Sequence, residues 1–217
     1  MDFIGAYSPD HFVFILKGFW VTLKVAGISI LLSFILGAIL GIFRFANIPI
    51  IAQISAVFVE VIRNLPLLLI IFFVYFALPE VGIKLSITWS AILALTIFES
   101  AMLAEIIRSG LNSVHKGQME AGRSSGLSYI QTLWYIILPQ GVRRMVPPIV
   151  SQFISLLKDT SLAVVIALPE MMHNAQVINA QNINYIIPVF ILVSIIYFIV
   201  NFALSLVARR LELNVSN

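Results

Sequence analysis

Residues Lys116 to Pro139 read KGQMEAGRSSGLSYIQTLWYIILP, a polar island between long apolar runs. It carries Lys116, Glu120 and Arg123, with glycines at 117, 122 and 126. Unpaired charge and unsatisfied backbone are both costly in lipid, so the stretch belongs in water, flanked by membrane spans. Glycine accepts the backbone angles of a sharp bend, and the spacing predicts two short helices broken at Gly126.

Working outward, the 217-residue chain is 60% hydrophobic and 11% charged, with a mean hydropathy of +1.04. These values exclude a soluble domain and predict an all-α membrane protein with about five spans of roughly 20 residues. The expected spans are Gly18–Phe43, Ile50–Leu78, Ile87–Arg108, Gln140–Leu168 and Ile186–Ala208. They form one transmembrane domain over 1–217, with a water-exposed loop at 113–137, a polar segment at 169–185 and a polar tail at 209–217. The first sixteen residues lack a basic start followed by a small-residue cleavage site, so no signal peptide is expected. Phe3, Tyr7, Phe12 and Phe14 predict instead a short interfacial segment over 1–17. A net charge of +3 gives no reason to expect a nucleic-acid partner. With no cysteine, disulfides and thiolate metal sites are excluded.

Arg44, Lys116, Arg123, Arg143, Arg144, Arg209 and Arg210 fall on one side of this arrangement, and Lys17 and Lys84 on the other. By the positive-inside rule the loop and C-terminus face the cytoplasm and the N-terminus lies outside. Within the spans, Gly37 and Gly41 permit close helix contact. Pro66 should kink or restart the second span. Glu60 and Arg63 stand three residues apart, as do Glu105 and Arg108, and each spacing predicts a structural ion pair. Contact with substrate is the other reading of Glu60 and Arg63. Glu99 has no partner at that spacing, which makes it a candidate pocket residue. No GxxxxGK[ST], HExxH or GxSxG motif occurs, so any ATP must be bound by another chain.

Glu120-Ala121-Gly122, Gly126 four residues on and Leu138-Pro139 beyond resemble the EAA loop of ABC-importer membrane subunits. The family has a second alanine where Gly122 stands, and the departure should only weaken a close packing contact. Arg63-Asn64-Leu65-Pro66-Leu67-Leu68 is similar to the RGTPLL run of polar amino acid permeases, and Glu105–Gly110 to their AEIxRGG ending. Lys158-Asp159-Thr160-Ser161-Leu162 matches their KDTSL motif without substitution.

The resemblance runs from Gly18 to Leu211 and implies a type I ABC importer permease, a non-catalytic subunit in a bacterial cytoplasmic membrane. Implied partners are two copies of an ABC ATPase carrying ATP and Mg, a second permease subunit (identical or related) and an external amino acid-binding protein. The cargo implied is glutamine, arginine, histidine or a similar solute. Glu120, Ala121, Gly122, Gly126, Leu138 and Pro139 would then couple to the ATPase. An amino acid zwitterion needs a cation for its carboxylate and an acceptor for its ammonium. Glu99, Lys158, Asp159, Thr160, Ser161, Asn64 and Arg63 are the candidates for that pathway. For Lys158 and Asp159, bracing the helices without touching ligand stands as the other reading. A channel, a secondary carrier and an intramembrane enzyme are the remaining classes, disfavoured by the loop, by the lack of repeated halves and by the missing catalytic motifs.

Overall fold

Backbone in hydrocarbon has no water to bond, so elements that satisfy their own N–H and C=O groups are required. The computed structural model describes residues 1–216, and every regular element among them is helical. Four helices are long and apolar enough to cross a membrane, Pro9–Phe45, Ile87–Asn112, Tyr129–Ile166 and Ile183–Arg210. A broken pair, Ile51–Arg63 and Leu67–Val81, makes up to five.

A four-residue helix α1 (Phe3–Ala6) precedes α2 (Pro9–Phe45). The expected boundary at Gly18 is absent, because Pro9 suits a first helical turn and nothing between it and Phe45 interrupts the hydrogen-bond ladder. Phe12 and Phe14 therefore belong to the spanning helix and not to a separate interfacial one. Helix α3 (Ile51–Arg63) stops at Asn64, and Pro66 takes an extended conformation (φ −61°, ψ 131°) before α4 (Leu67–Phe72). The second span thus restarts at the proline, which lacks the N–H the ladder needs. It then loosens into a π-turn at Phe73–Ala77 and tightens to a 3₁₀ turn at Leu78–Val81.

Helix α5 (Ile87–Asn112) is followed by α6 (Lys116–Ser124) and α7 (Tyr129–Thr132). A π-turn at Leu133–Ile137 joins α7 to α8 (Leu138–Asp159), which accommodates Pro147 and Pro148. The helix that carries the fourth span therefore begins at Tyr129 and not at Gln140, so the second half of the predicted loop is continuous with it. A 3₁₀ helix over Thr160–Ile166 ends at Ala167 in the left-handed region (φ 56°). The polar segment beyond it forms α9 (Met171–Asn179), whose Met171, Ala175 and Ile178 are fully buried. Helix α10 (Ile186–Ser216) is the last described element.

The chain divides into two compact units, each drawn from three separate stretches. One comprises 1–31, 65–96 and 154–205. Its core joins Ala6 and Ile15 to Met171, Ala175, Ile178, Val189 and Val193, with a second cluster of Ala26, Leu156 and Leu157. The other comprises 32–64, 97–153 and the chain from 206. Its core gathers Leu103, Ile107 and Leu111 with Ile137, Met145 and Ile149. Here Gly37 and Gly41 let α2 meet α5 backbone to backbone. A Cβ at Gly37 would lie 2.8 Å from Leu103 Cβ, and one at Gly41 2.8 Å from the Ala104 carbonyl oxygen.

Gly41→Leu is expected to cost about 1–3 kcal/mol by overpacking this contact. Gly27, beside which a Cβ would meet nothing within 4 Å, is the control. Gly27→Ala should be neutral or stabilise by up to about 1 kcal/mol. Thermal unfolding of the purified variants in detergent checks the pair.

Candidate functional site: the bent segment and the buried charges

Helix α6 opens where the His115 Nδ1 accepts from the Gly117 N–H at 3.1 Å. It closes in a Schellman motif: the Leu127 N–H bonds the Gly122 carbonyl at 3.2 Å and the Gly126 N–H bonds the Arg123 carbonyl at 3.1 Å. That geometry needs a left-handed residue, and Gly126 supplies it at φ +89°. Two residues on, Ser128 and Gln131 form a reciprocal capping box at the start of α7. The predicted break at Gly126 is where the structure places it. The S-x-x-Q pattern that fixes the next helix is equally visible in the sequence.

Gly122 is buried against α7, and a Cβ there would lie 2.6 Å from Thr132 Cγ2 and 2.9 Å from Ile136 Cδ1. The expectation that glycine weakens this contact is therefore reversed. The β-branched Thr132 occupies the space an alanine would need, and glycine lets the helices close on it. Glu120 and Ala121 are exposed, as is Pro139, while Leu138 is half-buried. Met119, Leu133 and Ile136 pack on the core formed by α5 and α8. A groove of about 320 Å³ lined by Val114, Met119 and Ile137 lies beside Glu120. Helix α5 is held to α8 below it, since Arg144 Nη1 donates to the Ser113 carbonyl at the α5 C-terminus, where a cation is favoured.

The two i,i+3 ion pairs are both present, and they are parts of one network. Glu105 is its centre. The Glu105 carboxylate accepts from Arg44 Nη1 at 2.8 Å and Arg108 Nε at 3.2 Å, with Arg63 Nη1 3.6 Å away. Glu60 lies 3.5 Å from Arg44 and 3.7 Å from Arg63. Arg44, with its side chain only 9% exposed, is the residue that joins α2 to both pairs. Its only apparent role in the sequence was as a topology signal. Asn64 donates to the Glu60 carbonyl at 2.7 Å and so ends α3, and Arg63 is held within the network.

Glu99 is 1% exposed and accepts from Gln152 Nε2 of α8 at 3.1 Å. The sequence reading that it lacks a partner is thus corrected, since Gln152 comes from a distant part of the chain. In the other unit, α8 ends at Asp159 within the Lys158–Leu162 run. Thr160 is fully buried and donates to the Leu157 carbonyl at 2.7 Å, and Ser161 donates to the Lys158 carbonyl at 2.7 Å. Lys158 is exposed and Asp159 half-buried.

Residues 29–217 match the family model of the binding-protein-dependent transport system inner membrane component. The chain belongs to that family. This permease is 68% identical over 214 residues to the probable glutamine ABC transporter permease protein GlnP of Bacillus subtilis (strain 168), covering 98% of each chain. It is 35% identical over 200 residues to the glutamine transport system permease protein GlnP of Escherichia coli (strain K12), covering 91% of each. The crystal structure of an amino acid ABC transporter with histidines superposes with a TM-score of 0.91 at 28% identity, over 99% of both chains. An inward-facing MetNI methionine ABC transporter shares the fold at 19% identity, with a TM-score of 0.75 over 94% of this chain and 98% of that one. The permease has the all-α type I importer fold and is a multi-pass membrane protein.

Removing Glu105 leaves Arg44 without its nearest carboxylate partner. Glu105→Gln is accordingly expected to cost about 2–4 kcal/mol. Glu60 is 57% exposed, and Glu60→Gln should cost under about 1 kcal/mol. Denaturant or thermal unfolding of the two purified variants separates the values.

Proposed function

We propose that this permease carries a polar amino acid, glutamine or a close relative, into a bacterial cell as one subunit of an ATP-driven importer. ATP and Mg are held by two copies of a separate ATPase. A second permease chain, identical or related, completes the pathway, and an external binding protein delivers the substrate. The C-terminus and the bent segment face the cytoplasm and the N-terminus faces outward, in keeping with the distribution of arginines.

The observation that carries this reading is the bent segment. It exposes Glu120 and Ala121 on a helix capped at both ends and seated on the core of its unit. A loose loop would absorb a push. Here α7 continues without interruption into the span Tyr129–Ile166, so a displacement of the segment is delivered to a membrane helix as a lever. Glu120, Ala121, Gly122 and Gly126 form the contact and its bend, and Leu138-Pro139 lie on the helix that moves.

Substrate recognition is assigned to two polar stations, Glu99 with Gln152 and the run Lys158–Ser161. Arg63 and Asn64 serve as structure. The ammonium of Lys158 suits a substrate carboxylate, and the carboxylates of Asp159 and Glu99 suit an ammonium.

Glu120→Lys should abolish ATPase attachment and reduce uptake by more than about tenfold, a loss of over ~1.4 kcal/mol in coupling. Retention of the ATPase on the affinity-purified permease, with uptake of labelled glutamine, arginine and histidine into proteoliposomes, measures both. Transport by this chain alone without ATP would favour a secondary carrier instead. Asp159→Asn should raise the KM for uptake by about tenfold if the carboxylate binds the substrate ammonium. An unchanged KM and unchanged amino acid-stimulated ATP hydrolysis would remove Asp159 from the pathway.

A further inference from the structure

The unit formed by 1–31, 65–96 and 154–205 contains a carboxylate that none of the roles above uses. Glu170 is 0% exposed, yet it stands at the N-cap of α9, a position usually open to water. Its Oε1 accepts from the His173 N–H at 2.7 Å, as an N-cap should. Its Oε2 is directed elsewhere. It accepts from Thr22 Oγ1 of α2 and from the Tyr197 hydroxyl of α10, each at 3.4 Å. Thr22 Oγ1 accepts in turn from the Met171 N–H at 3.3 Å. The Glu170 backbone in turn follows directly on the 3₁₀ turn of Thr160–Ile166: its N–H bonds the Leu168 carbonyl at 2.7 Å, and the Leu168 N–H bonds the Ala163 carbonyl at 3.3 Å.

Packing around the carboxylate is equally specific. Gly18 of α2 sits so close that a Cβ would fall 2.8 Å from the Glu170 carbonyl oxygen and 2.8 Å from Asn174 Nδ2. Asn174 Nδ2 donates to the Phe14 carbonyl at 2.7 Å. One acidic residue thus ties together the start of α9, α2, α10 and the turn that ends the fourth span. An N-cap alone needs only a short exposed Ser or Asp, so the longer buried glutamate needs another explanation.

We propose that Glu170 is a positioning residue for transport: it holds the turn that begins at Thr160 against α2 and α10, and its charge state controls the rate of import. Glu170 lies outside the membrane-spanning helices, and burial pushes its carboxyl up to about 7. Both forms are then populated near neutral pH. The ionised form accepts from Thr22 and Tyr197 together, whereas the protonated form must donate to one of those oxygens, which breaks that arrangement. Of the side chains that contact the carboxyl from other elements, Tyr197 on α10 is titratable and Thr22 on α2 is uncharged. His173 contributes its backbone N–H, and Lys158 and Asp159 immediately precede Thr160 in sequence.

The sign follows from linkage. A folded pKa raised from 4.5 to about 7 means that the fold favours the protonated carboxyl. Its stabilising contribution is complete below about 4.5 and is lost as pH rises through about 7.

The test uses the permease assembled with its ATPase and binding protein in proteoliposomes, with external pH varied from about 5.5 to about 8.5. It rests on the importer reading above, and Glu170→Gln, which keeps the shape but cannot ionise, is the decisive variant. Wild-type maximal velocity should change severalfold with a midpoint near pH 7, while Glu170→Gln should be flat with KM within about twofold of wild type. The melting temperature of purified wild type should fall across the same interval, and that of Glu170→Gln should not. Tyr197→Phe should lower maximal velocity while keeping the pH dependence of the melting temperature. A Glu170→Gln variant with the wild-type velocity profile overturns the proposal. Should the wild type import no amino acid, the importer reading fails instead. The melting temperatures would then decide the Glu170 titration separately, with equal pH dependence in wild type and Glu170→Gln refuting it.

Discussion

A carboxylate shared among three guanidinium groups is the contact on which the second unit depends. Charges near hydrocarbon are tolerated when they neutralise one another, and Glu105 is the only carboxylate placed to meet Arg44, Arg63 and Arg108 at once among the described residues. Its effect is architectural. Helix α3 ends at Arg63 and Pro66 forbids it to continue, so the first half of the broken span needs an anchor other than its own ladder. Arg63 and Glu60 provide that anchor by joining α3 to Arg44 of α2 and Glu105 of α5.

The same unit presents the bent segment, and its stiffness comes from short-range chemistry stacked on a packed core. A Schellman closure, a capping box and the close approach at Gly122 leave few free torsions between α6 and the fourth span. The other unit is organised by a different means, with Glu170 gathering Thr22, Tyr197 and the backbone of α9 around one buried acid. In both units a single carboxylate serves several donors, which is the economical way to keep polar groups paired where water is scarce.

Much of this was legible in the chain, and the legible parts share a physical property. The spans, the bend at Gly126 and the pairs Glu60–Arg63 and Glu105–Arg108 depend on residues within one or two helical turns of each other. The errors share the opposite property. Arg44 meets Glu105 across 61 residues, Gln152 meets Glu99 across 53, and Thr22 meets Glu170 across 148. The misjudgement of Gly122 was of the same kind, because the space beside it is defined by Thr132 on another helix. Helix ends were misplaced at Gly18 and Gln140 since no local feature there ends or starts a helix; the ladder simply runs on.

By itself the sequence determined that this is a helical membrane protein with a polar bent segment and one run, Lys158–Leu162, of mixed polar chemistry between apolar stretches. Hydropathy and helical spacing suffice for that, because solvent preference and backbone geometry act residue by residue. Which distant polar groups pair, and how tightly the glycines let helices close, was decided only by the tertiary structure. A hydrogen bond is specified by where two atoms end up, and for residues on different helices that position is set by packing of the whole unit.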